Sequence, residues 1–339
     1  MMFKYAVQCL VGCLAVCPLL AQQVGTAAGP APAPLAEDWA RLRVNPASLE
    51  PLSYAVIGTA ETPDFTRQLL RVQWRTGDPI DLYVIKPYGV AKPQVILYLY
   101  GFPSNNDRFR DDAWCKRATQ GGFAAVGFVS ALTGDRYANR PMKEWFVSEL
   151  RESLGTSVHD VQMVLNYLAT REDLVVNEVG MFGQGSGGSI AILAATADSR
   201  ITVLDVLDPW GDWPDWFKTS PEVPEDERAT YLRPEFLERL TVLDPSLYLS
   251  HLKLKRLRVE QVMDEPVTPL DAKEKIGAAI PRSEDLVRYK NERAHLESWR
   301  VTGLTGWIRD QMRPSPSSLS ENHSAVARPS STLLVTDGK

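Results

Sequence analysis

A glycine-rich stretch between an apolar run and an alanine-rich segment constrains the fold of this chain more than any other sequence feature. The stretch extends from Val179 to Ala194 and reads VGMFGQGSGGSIAILA. Its apolar start predicts a buried strand, and the alanines that follow the glycines predict a helix. The glycines between them therefore form a sharp strand-to-helix turn, in which the backbone doubles back and small residues are required.

Further apolar runs alternate with helical segments along the chain. The runs RQLLRVQWR and IDLYVIKP predict an edge hairpin, and the other predicted strands are QVILYLYG, FAAVGFVS, ITVLDVLDP, LKRLRVEQVMD and EDLVRYKN. Helices are predicted around Asp111 to Gln120, from Thr156 or Ser157 onward, and over TGLTGWIRDQM. This alternation predicts an α/β fold with a mainly parallel sheet flanked by helices.

Residues 209–250 interrupt the alternation and predict a cap over the carboxyl edge of the sheet. Trp210, Trp213 and Trp216 lie close together at its start. Aromatic side chains of this kind either line a substrate pocket or hold the cap to the domain. The sequence leaves both interpretations open.

Length and charge restrict the class of partner. The chain has 339 residues and a net charge of −5, with a pI of about 5.6. This acidity gives no reason to expect nucleic acid or an anionic membrane surface as a partner. A small-molecule, ester or peptide ligand is expected instead.

The first 21 residues predict a signal peptide and therefore an exported protein, periplasmic or extracellular. Lys4 precedes an apolar run from Tyr5 to Leu20, and Ala21 is a small residue suited to cleavage. The run is too short and too interrupted to predict a transmembrane span. A lipid anchor on Cys13 is a second, less favoured interpretation of the same segment.

The rest of the chain divides by composition. Residues 22–36 are a Pro/Ala-rich linker, residues 37–313 form the expected folded domain, and residues 314–339 are a Ser/Pro-rich tail predicted to be disordered. Cys115 is the one cysteine beyond the signal segment, so no intramolecular disulfide is expected in the mature chain.

The strand–glycine–helix segment resembles the nucleophile elbow of the α/β-hydrolase family, whose usual form is G-x-S-x-G. The resemblance extends over about residues 65–312. It is to secreted esterases and peptidases such as acetyl xylan esterases, dienelactone hydrolases and prolyl-peptidase-like domains. Aligned without a gap, Gly183 to Gly187 cover the motif, and Gly185 stands where the serine would be. Glycine has no heteroatom, so covalent catalysis is not expected at this position.

A frame shifted by one residue would make Ser186 the nucleophile. That frame places Gln184 where the turn needs a small residue, whereas Ser186 in the ordinary frame begins the helix. In the ordinary frame Ser186 contributes a backbone N–H to the oxyanion hole. The resemblance implies that the second N–H donor is Phe102, because Pro103 has none.

The resemblance also implies an acid and a base. The acid follows the next-to-last strand, where either Glu265 or Asp264 fits, although two carboxylates in such a loop are as often simply solvated. His295 follows the last strand and precedes the terminal helix, the family's position for the catalytic histidine. No metal-binding or nucleotide-binding motif is present, so no cofactor is expected.

Two hypotheses on function follow. In the first, the chain is a ligand-binding pseudo-hydrolase with weak or absent hydrolysis. In the second, it is an active ester or peptide hydrolase that uses Ser186 with His295 and Glu265 or Asp264. A water activated by His295 in the space left by Gly185 would be another route to activity.

Overall fold

The computed structural model describes residues 49–102, 106–132, 136, 149–303 and 305–313. In that part of the chain one sheet contains nine strands. They are β1 (Ser53–Glu61), β2 (Phe65–Arg75), β3 (Asp78–Pro87), β4 (Gln94–Leu99), β5 (Ala124–Gly127), β6 (Val175–Gln184), β7 (Ile201–Leu207), β8 (Arg256–Val262) and β9 (Leu286–Tyr289).

The sheet has the strand order β1-β2-β3-β5-β4-β6-β7-β8-β9. The first three strands form antiparallel pairs, and β3 also pairs antiparallel with β5. From β5 to β9 all neighbouring strands are parallel. The mainly parallel sheet predicted from the sequence is therefore confirmed. Its carboxyl edge brings together the loops that follow β4, β6, β7, β8 and β9.

Helices cover both faces of the sheet. They are α1 (Asp107–Arg110), α2 (Asp112–Ala118), α3 (Leu150–Ala169), α4 (Ser186–Ala197), α5 (Trp213–Thr219), α6 (Arg228–Tyr231), α7 (Pro234–Thr241), α8 (Ser246–Leu249), α9 (Leu270–Ala278), α10 (Glu292–Thr302) and α11 (Gly306–Met312). Helices α3 and α4 share one apolar layer with the sheet, and α2 and α11 share the layer on the opposite face.

Strand β4 shows why a continuous apolar run forms the centre of this sheet. Leu97 belongs to the layer under α3 and α4, whereas Ile96 belongs to the layer that contains Ile308 of α11. Both β4 side chains are fully buried. Both faces of such a strand pack against apolar layers, and its sequence therefore does not alternate between apolar and polar residues.

Two elements differ from the predictions. Helix α3 begins at Leu150, one to two turns before the predicted start at Thr156 or Ser157. Ser157 is buried and does not cap a helix, because its hydroxyl donates to the Ser153 carbonyl and accepts from the Ala131 N–H. Strand β1 was not predicted. Nearly all its side chains are exposed, so it lacks the apolar pattern that marks the other strands.

The insertion at residues 209–250 contains helices α5 to α8. Asp244 fixes the start of α5, since its carboxylate accepts hydrogen bonds from the N–H groups of Asp212 (3.0 Å) and Trp213 (3.2 Å). The same carboxylate accepts from the N–H and hydroxyl of Ser246 at the start of α8. One buried acid thus joins two ends of the insertion.

The predicted signal peptide, linker and C-terminal tail, and with them Cys13, lie outside the described residues and stay predictions. Cys115, within α2, is buried as a free thiol. Among the described residues, no helix combines the length and the apolar character needed to cross a bilayer.

Candidate functional site

The turn between β6 and α4 has Gly185 at its apex. Gly185 has φ +55° and ψ −125°, a conformation that residues with a side chain rarely adopt. Its N–H donates to the Leu207 carbonyl (2.9 Å), and its own carbonyl accepts from the Gly188 N–H (2.9 Å) in the first turn of α4. Gly185 is therefore the residue at the apex of this turn.

The flanking glycines are required by close packing. A Cβ atom on Gly187 would lie 2.2 Å from the Leu99 carbonyl oxygen, and one on Gly183 would lie 2.6 Å from the Gly187 carbonyl oxygen. Neither position admits a side chain without moving the backbone. This crowding holds the turn tightly against the carboxyl end of β4.

An indole ring lies over the apex. A Cβ atom built on Gly185 would be 3.4 Å from Nε1 of Trp210, which is an ordinary contact distance. The Trp210 side chain is only 2% exposed, and its ring centroid lies 4.8 Å from that of Trp216. The space into which a side chain at residue 185 would project is therefore bordered by Trp210.

Ser186 is fully buried at the start of α4. Its Oγ accepts a hydrogen bond from the backbone N–H of Phe102 at 2.9 Å. The structure thus brings together Ser186 and Phe102, the two residues predicted to form an oxyanion hole. The Phe102 N–H, however, points to the serine hydroxyl, which occupies a donor that an oxyanion would need.

Glu265 is held by its own loop. Its carboxylate accepts from the N–H groups of Val267 (2.6 Å) and Thr268 (3.1 Å), and Lys273 Nζ lies 3.2 Å from Oε2. Lys273 is only 1% exposed and also donates to the carbonyls of Val262 and Glu265. Through these contacts Glu265 stabilises the conformation of the loop after β8.

Asp264 reaches the start of α10. Its Oδ1 accepts from the Glu292 N–H at 3.2 Å, and the neighbouring Met263 N–H donates to the Tyr289 carbonyl at 2.9 Å. Asn291 caps α10, because its side-chain oxygen accepts from the Ala294 N–H at 3.0 Å. The acid loop therefore meets the chain at Asn291 and Glu292, and an asparagine amide is not a base.

His295 lies in the second turn of α10, not in the loop where the sequence led us to expect it. Its side chain is 5% exposed and packs between Tyr289 and Trp299, with ring centroids 5.0 and 4.8 Å away. Among the described residues, Nε2 has no hydrogen-bond partner. Burial lowers the pKa of this imidazole, which favours its neutral form.

No hydrogen bond within the described residues joins His295 to Ser186, Asp264 or Glu265. The physical reason is the position of the helix start. Asn291 caps α10, so the chain is already helical when it reaches His295. Helical geometry places the ring next to Trp299, one turn further along α10, and against Tyr289 of β9. The structure therefore brings Asp264 to the Glu292 N–H and leaves His295 with aromatic neighbours.

Sequence reasoning did not single out a buried ionic cluster beside His295. Arg258 of β8 forms two hydrogen bonds with Asp205 of β7, at 2.9 and 2.6 Å, and lies 3.1 Å from Glu260. The Tyr289 hydroxyl donates to Glu260 at 2.6 Å. Burial and the neighbouring Glu260 charge raise the pKa of Asp205 to about 7. The sequence signal that could have predicted this cluster is the charge at every second position of β8, at Arg256, Arg258 and Glu260.

The three tryptophans form the interior of the insertion. Their side chains are between 0% and 2% exposed, and Trp213 and Trp216 also pack on Phe217. Of the three, Trp210 is the one that borders the apex of the turn. Their burial fits the interpretation that they hold the insertion to the domain, and it leaves little of their surface to contact a substrate.

Comparison with solved structures finds the same architecture at low sequence identity. An acetyl xylan esterase from Paenibacillus sp. R4 matches with a TM-score of 0.59 and 16% identity, covering 78% of this chain and 91% of that chain. Acetyl xylan esterase 1 from Thermoanaerobacterium sp. JW/SL YS485 matches with a TM-score of 0.56 and 15% identity, covering 79% and 92%. A Pyrococcus horikoshii acylaminoacyl peptidase has a TM-score of 0.50 and 13% identity, covering 76% and 47%. The chain has the α/β-hydrolase fold.

Comparison of sequences finds no match, either among protein-family models or among curated proteins. In the α/β-hydrolase fold, the apex of the turn after this strand carries the nucleophilic hydroxyl. In this chain the apex residue is Gly185, and the nearby Ser186 hydroxyl is bound to the Phe102 amide. The arrangement preserves the shape of a hydrolase turn without a hydroxyl at its apex.

Proposed function

We propose that this chain is an exported pseudo-hydrolase that binds a small-molecule, ester or peptide ligand and has weak or absent hydrolytic activity. The observation that carries the proposal is the positive-φ conformation of Gly185 at the apex of the turn. The residue in that conformation occupies the nucleophile position of the fold, and here it has no side chain. The export part of the proposal rests on the signal-like segment at residues 1–21.

The large contribution of a nucleophile to turnover supports a non-catalytic function for a chain that lacks one at the apex. Removing the nucleophile of a catalytic triad lowers turnover by about 10⁶-fold in a well-studied protease. That factor corresponds to about 8 kcal/mol of transition-state stabilisation at 25 °C. A water-based reaction at Gly185 would have to recover most of it.

The oxyanion donor gives independent support. The Phe102 N–H is already bound to Ser186 Oγ at 2.9 Å, so a reacting carbonyl would compete with an internal acceptor. Loss of one oxyanion donor costs about 10²- to 10³-fold in turnover. Ser186 is also not arranged as a replacement nucleophile. Its hydroxyl is bound to the Phe102 N–H, and no imidazole contacts it among the described residues.

The contacts of the predicted acid and base are the third observation that supports the proposal. Asp264 accepts a hydrogen bond from the Glu292 N–H, and His295 is packed between two aromatic rings. A nucleophile needs a base within hydrogen-bond reach, and the base needs a group that orients it. Within the part of the chain that the structure describes, His295 contacts neither a nucleophile nor a group that would orient it. Because acetyl xylan esterases are among the structural neighbours, acyl esters are the first ligands to test.

The experiment offers the purified mature protein p-nitrophenyl acetate and a fluorophosphonate probe that labels activated serines. We expect hydrolysis at the background rate and no labelling. Ser186→Ala is the matched variant, and it should behave like the unmodified protein in both assays. Circular dichroism of both proteins confirms that they are folded.

The contrary result is equally clear. Strong labelling of the unmodified protein that Ser186→Ala abolishes would establish an active hydrolase with Ser186 as nucleophile. Hydrolysis that survives Ser186→Ala and is lost in His295→Asn would establish a water-based mechanism. Either outcome refutes the proposed pseudo-hydrolase.

A further inference from the structure

A second concave site lies at the edge of the sheet opposite to Gly185. Helix α4 starts at the elbow and ends at Ala197, so the loop at residues 198–200 lies at the amino ends of the parallel strands. A cleft of about 1040 Å³ opens there between α3, the end of α4 and the segment that follows α8. This volume is in the range of small-molecule sites.

One carboxylate on the cleft wall is already neutralised. Asp198 and Arg200 form a two-point ion pair, with Nε to Oδ1 at 2.9 Å and Nη2 to Oδ2 at 2.6 Å. The Asp198 side chain is only 9% exposed. The pair is therefore fixed on the wall and contributes no net charge to the cleft.

Two basic groups on the same wall have no such partner. Lys253 and His251 both line the cleft and are exposed. Their side chains make no hydrogen bond or ion pair with any residue that the structure describes. The chain as a whole carries a net charge of −5, so the charge of Lys253 in this cleft is opposite in sign to the overall charge of the chain. Such a charge attracts an anion.

The charge and the remaining lining indicate which kind of anion fits. With Asp198 and Arg200 cancelling, Lys253 supplies one fixed positive charge, which matches a monoanion better than a phosphate dianion. Leu247 lines the same cleft and is 51% exposed, an apolar surface beside the basic groups. The adjacent Tyr248 ring is held in place, because its hydroxyl donates to the Val242 carbonyl at 2.6 Å.

We propose that this cleft binds a small monocarboxylate whose body is a ring. The carboxylate pairs with Lys253 and accepts a hydrogen bond from His251, and the ring lies against Leu247 and Tyr248. Charge-assisted hydrogen bonds of this kind are stronger than hydrogen bonds between neutral groups. The site shares no residue with the elbow, and therefore it stands or fails independently of the function proposed above.

The test is isothermal titration of the mature protein with two ring carboxylates and their neutral counterparts. The pairs are galacturonate with galactose and 4-hydroxybenzoate with 4-hydroxybenzyl alcohol, and inorganic phosphate is a fifth titrant. We expect at least one carboxylate to bind about tenfold or more tightly than its neutral counterpart and than phosphate.

Variants locate the binding. Lys253→Gln should weaken binding of the carboxylate by about tenfold, because it removes the charge and leaves a polar side chain that is one atom shorter. Lys218→Gln, on the exposed side of α5 and away from the cleft, is the matched control and should bind as the unmodified protein does. Equal affinity for a neutral counterpart, tighter binding of phosphate, or unchanged affinity in Lys253→Gln would overturn the proposal.

Discussion

At the scale of single residues, Gly185 combines the backbone of a nucleophile elbow with the absence of a side chain. Hydrolases of this fold hold a residue with a Cβ atom in that conformation, and such strain is typical of catalytic positions. In this chain glycine adopts φ +55° without the steric cost. The turn in this chain therefore lacks the backbone strain that a nucleophile with a Cβ atom has at this position.

A stability measurement tests this interpretation. Gly185→Ala should lower the free energy of unfolding by about 1–3 kcal/mol, because alanine has to adopt the disfavoured conformation. Urea denaturation followed by circular dichroism gives the value. Gly58→Ala is the matched control, since a Cβ atom there meets nothing within 4 Å, and it should stay within about 0.5 kcal/mol. Equal values for the two variants would place the apex elsewhere.

Asn291, whose neighbour Glu292 donates its N–H to Asp264, leads to a second prediction. Gly185→Ser alone should not be labelled by a fluorophosphonate, because His295 does not face the elbow. Gly185→Ser combined with Asn291→His should be labelled and should hydrolyse p-nitrophenyl acetate above background, since residue 291 directly precedes Glu292, whose N–H donates to Asp264. Loss of the Asn291 cap should cost about 1 kcal/mol of stability.

The control for that prediction is a third change, His295→Asn, in the double variant. It should leave the acquired activity intact. If Gly185→Ser alone gains activity that His295→Asn removes, then His295 is the base and our placement of the site is wrong. The two outcomes identify different bases, so they cannot be confused.

At the scale of elements, β7, β8 and β9 hold a charged cluster beneath α10. Asp205 and Glu260 are both buried, and Arg258 lies between them. Two carboxylates that share one guanidinium leave an excess negative charge in a poorly solvated place, which favours a proton on one of them. The pKa of Asp205 is accordingly raised to about 7 from an ordinary value of 3.8.

This shift predicts how stability depends on pH. A carboxyl group whose pKa is higher in the folded state stabilises the fold fully below its unfolded pKa, and this contribution is lost as the pH rises through about 7. Asp205→Asn should therefore flatten the dependence of the melting temperature on pH between about 4 and 8. Asp81→Asn, at the surface pair with Arg71, should keep the wild-type dependence. An unchanged slope in Asp205→Asn would mean that Asp205 stays ionised in the folded protein.

At the scale of the whole molecule, the sequence was sufficient for the architecture. Continuous apolar runs predicted the central strands, and the glycines around residue 185 predicted a strand-to-helix turn. Both signals come from burial and steric crowding, which are strong and local. The exposed edge strand β1 carries neither signal, because its side chains face solvent on both sides of the sheet.

The contents of the site were harder to predict. The segment NERAHLESW contains a helix start at Asn291, and the direction of every later side chain depends on that one cap. The same limit applies to Asp264 and Glu265, which are neighbours in sequence but bond to different elements. Side-chain partners across loops are decided by tertiary packing, which a single sequence does not display.

The indole of Trp210 has a consequence for how this molecule can be observed. Its ring borders the apex of the turn and lies 4.8 Å from the ring of Trp216, so the two chromophores are electronically coupled. A molecule that entered the space over Gly185 would contact the Trp210 ring of that pair. We therefore expect the near-ultraviolet circular dichroism of the protein to change when a ligand occupies this space, with no turnover and no attached label.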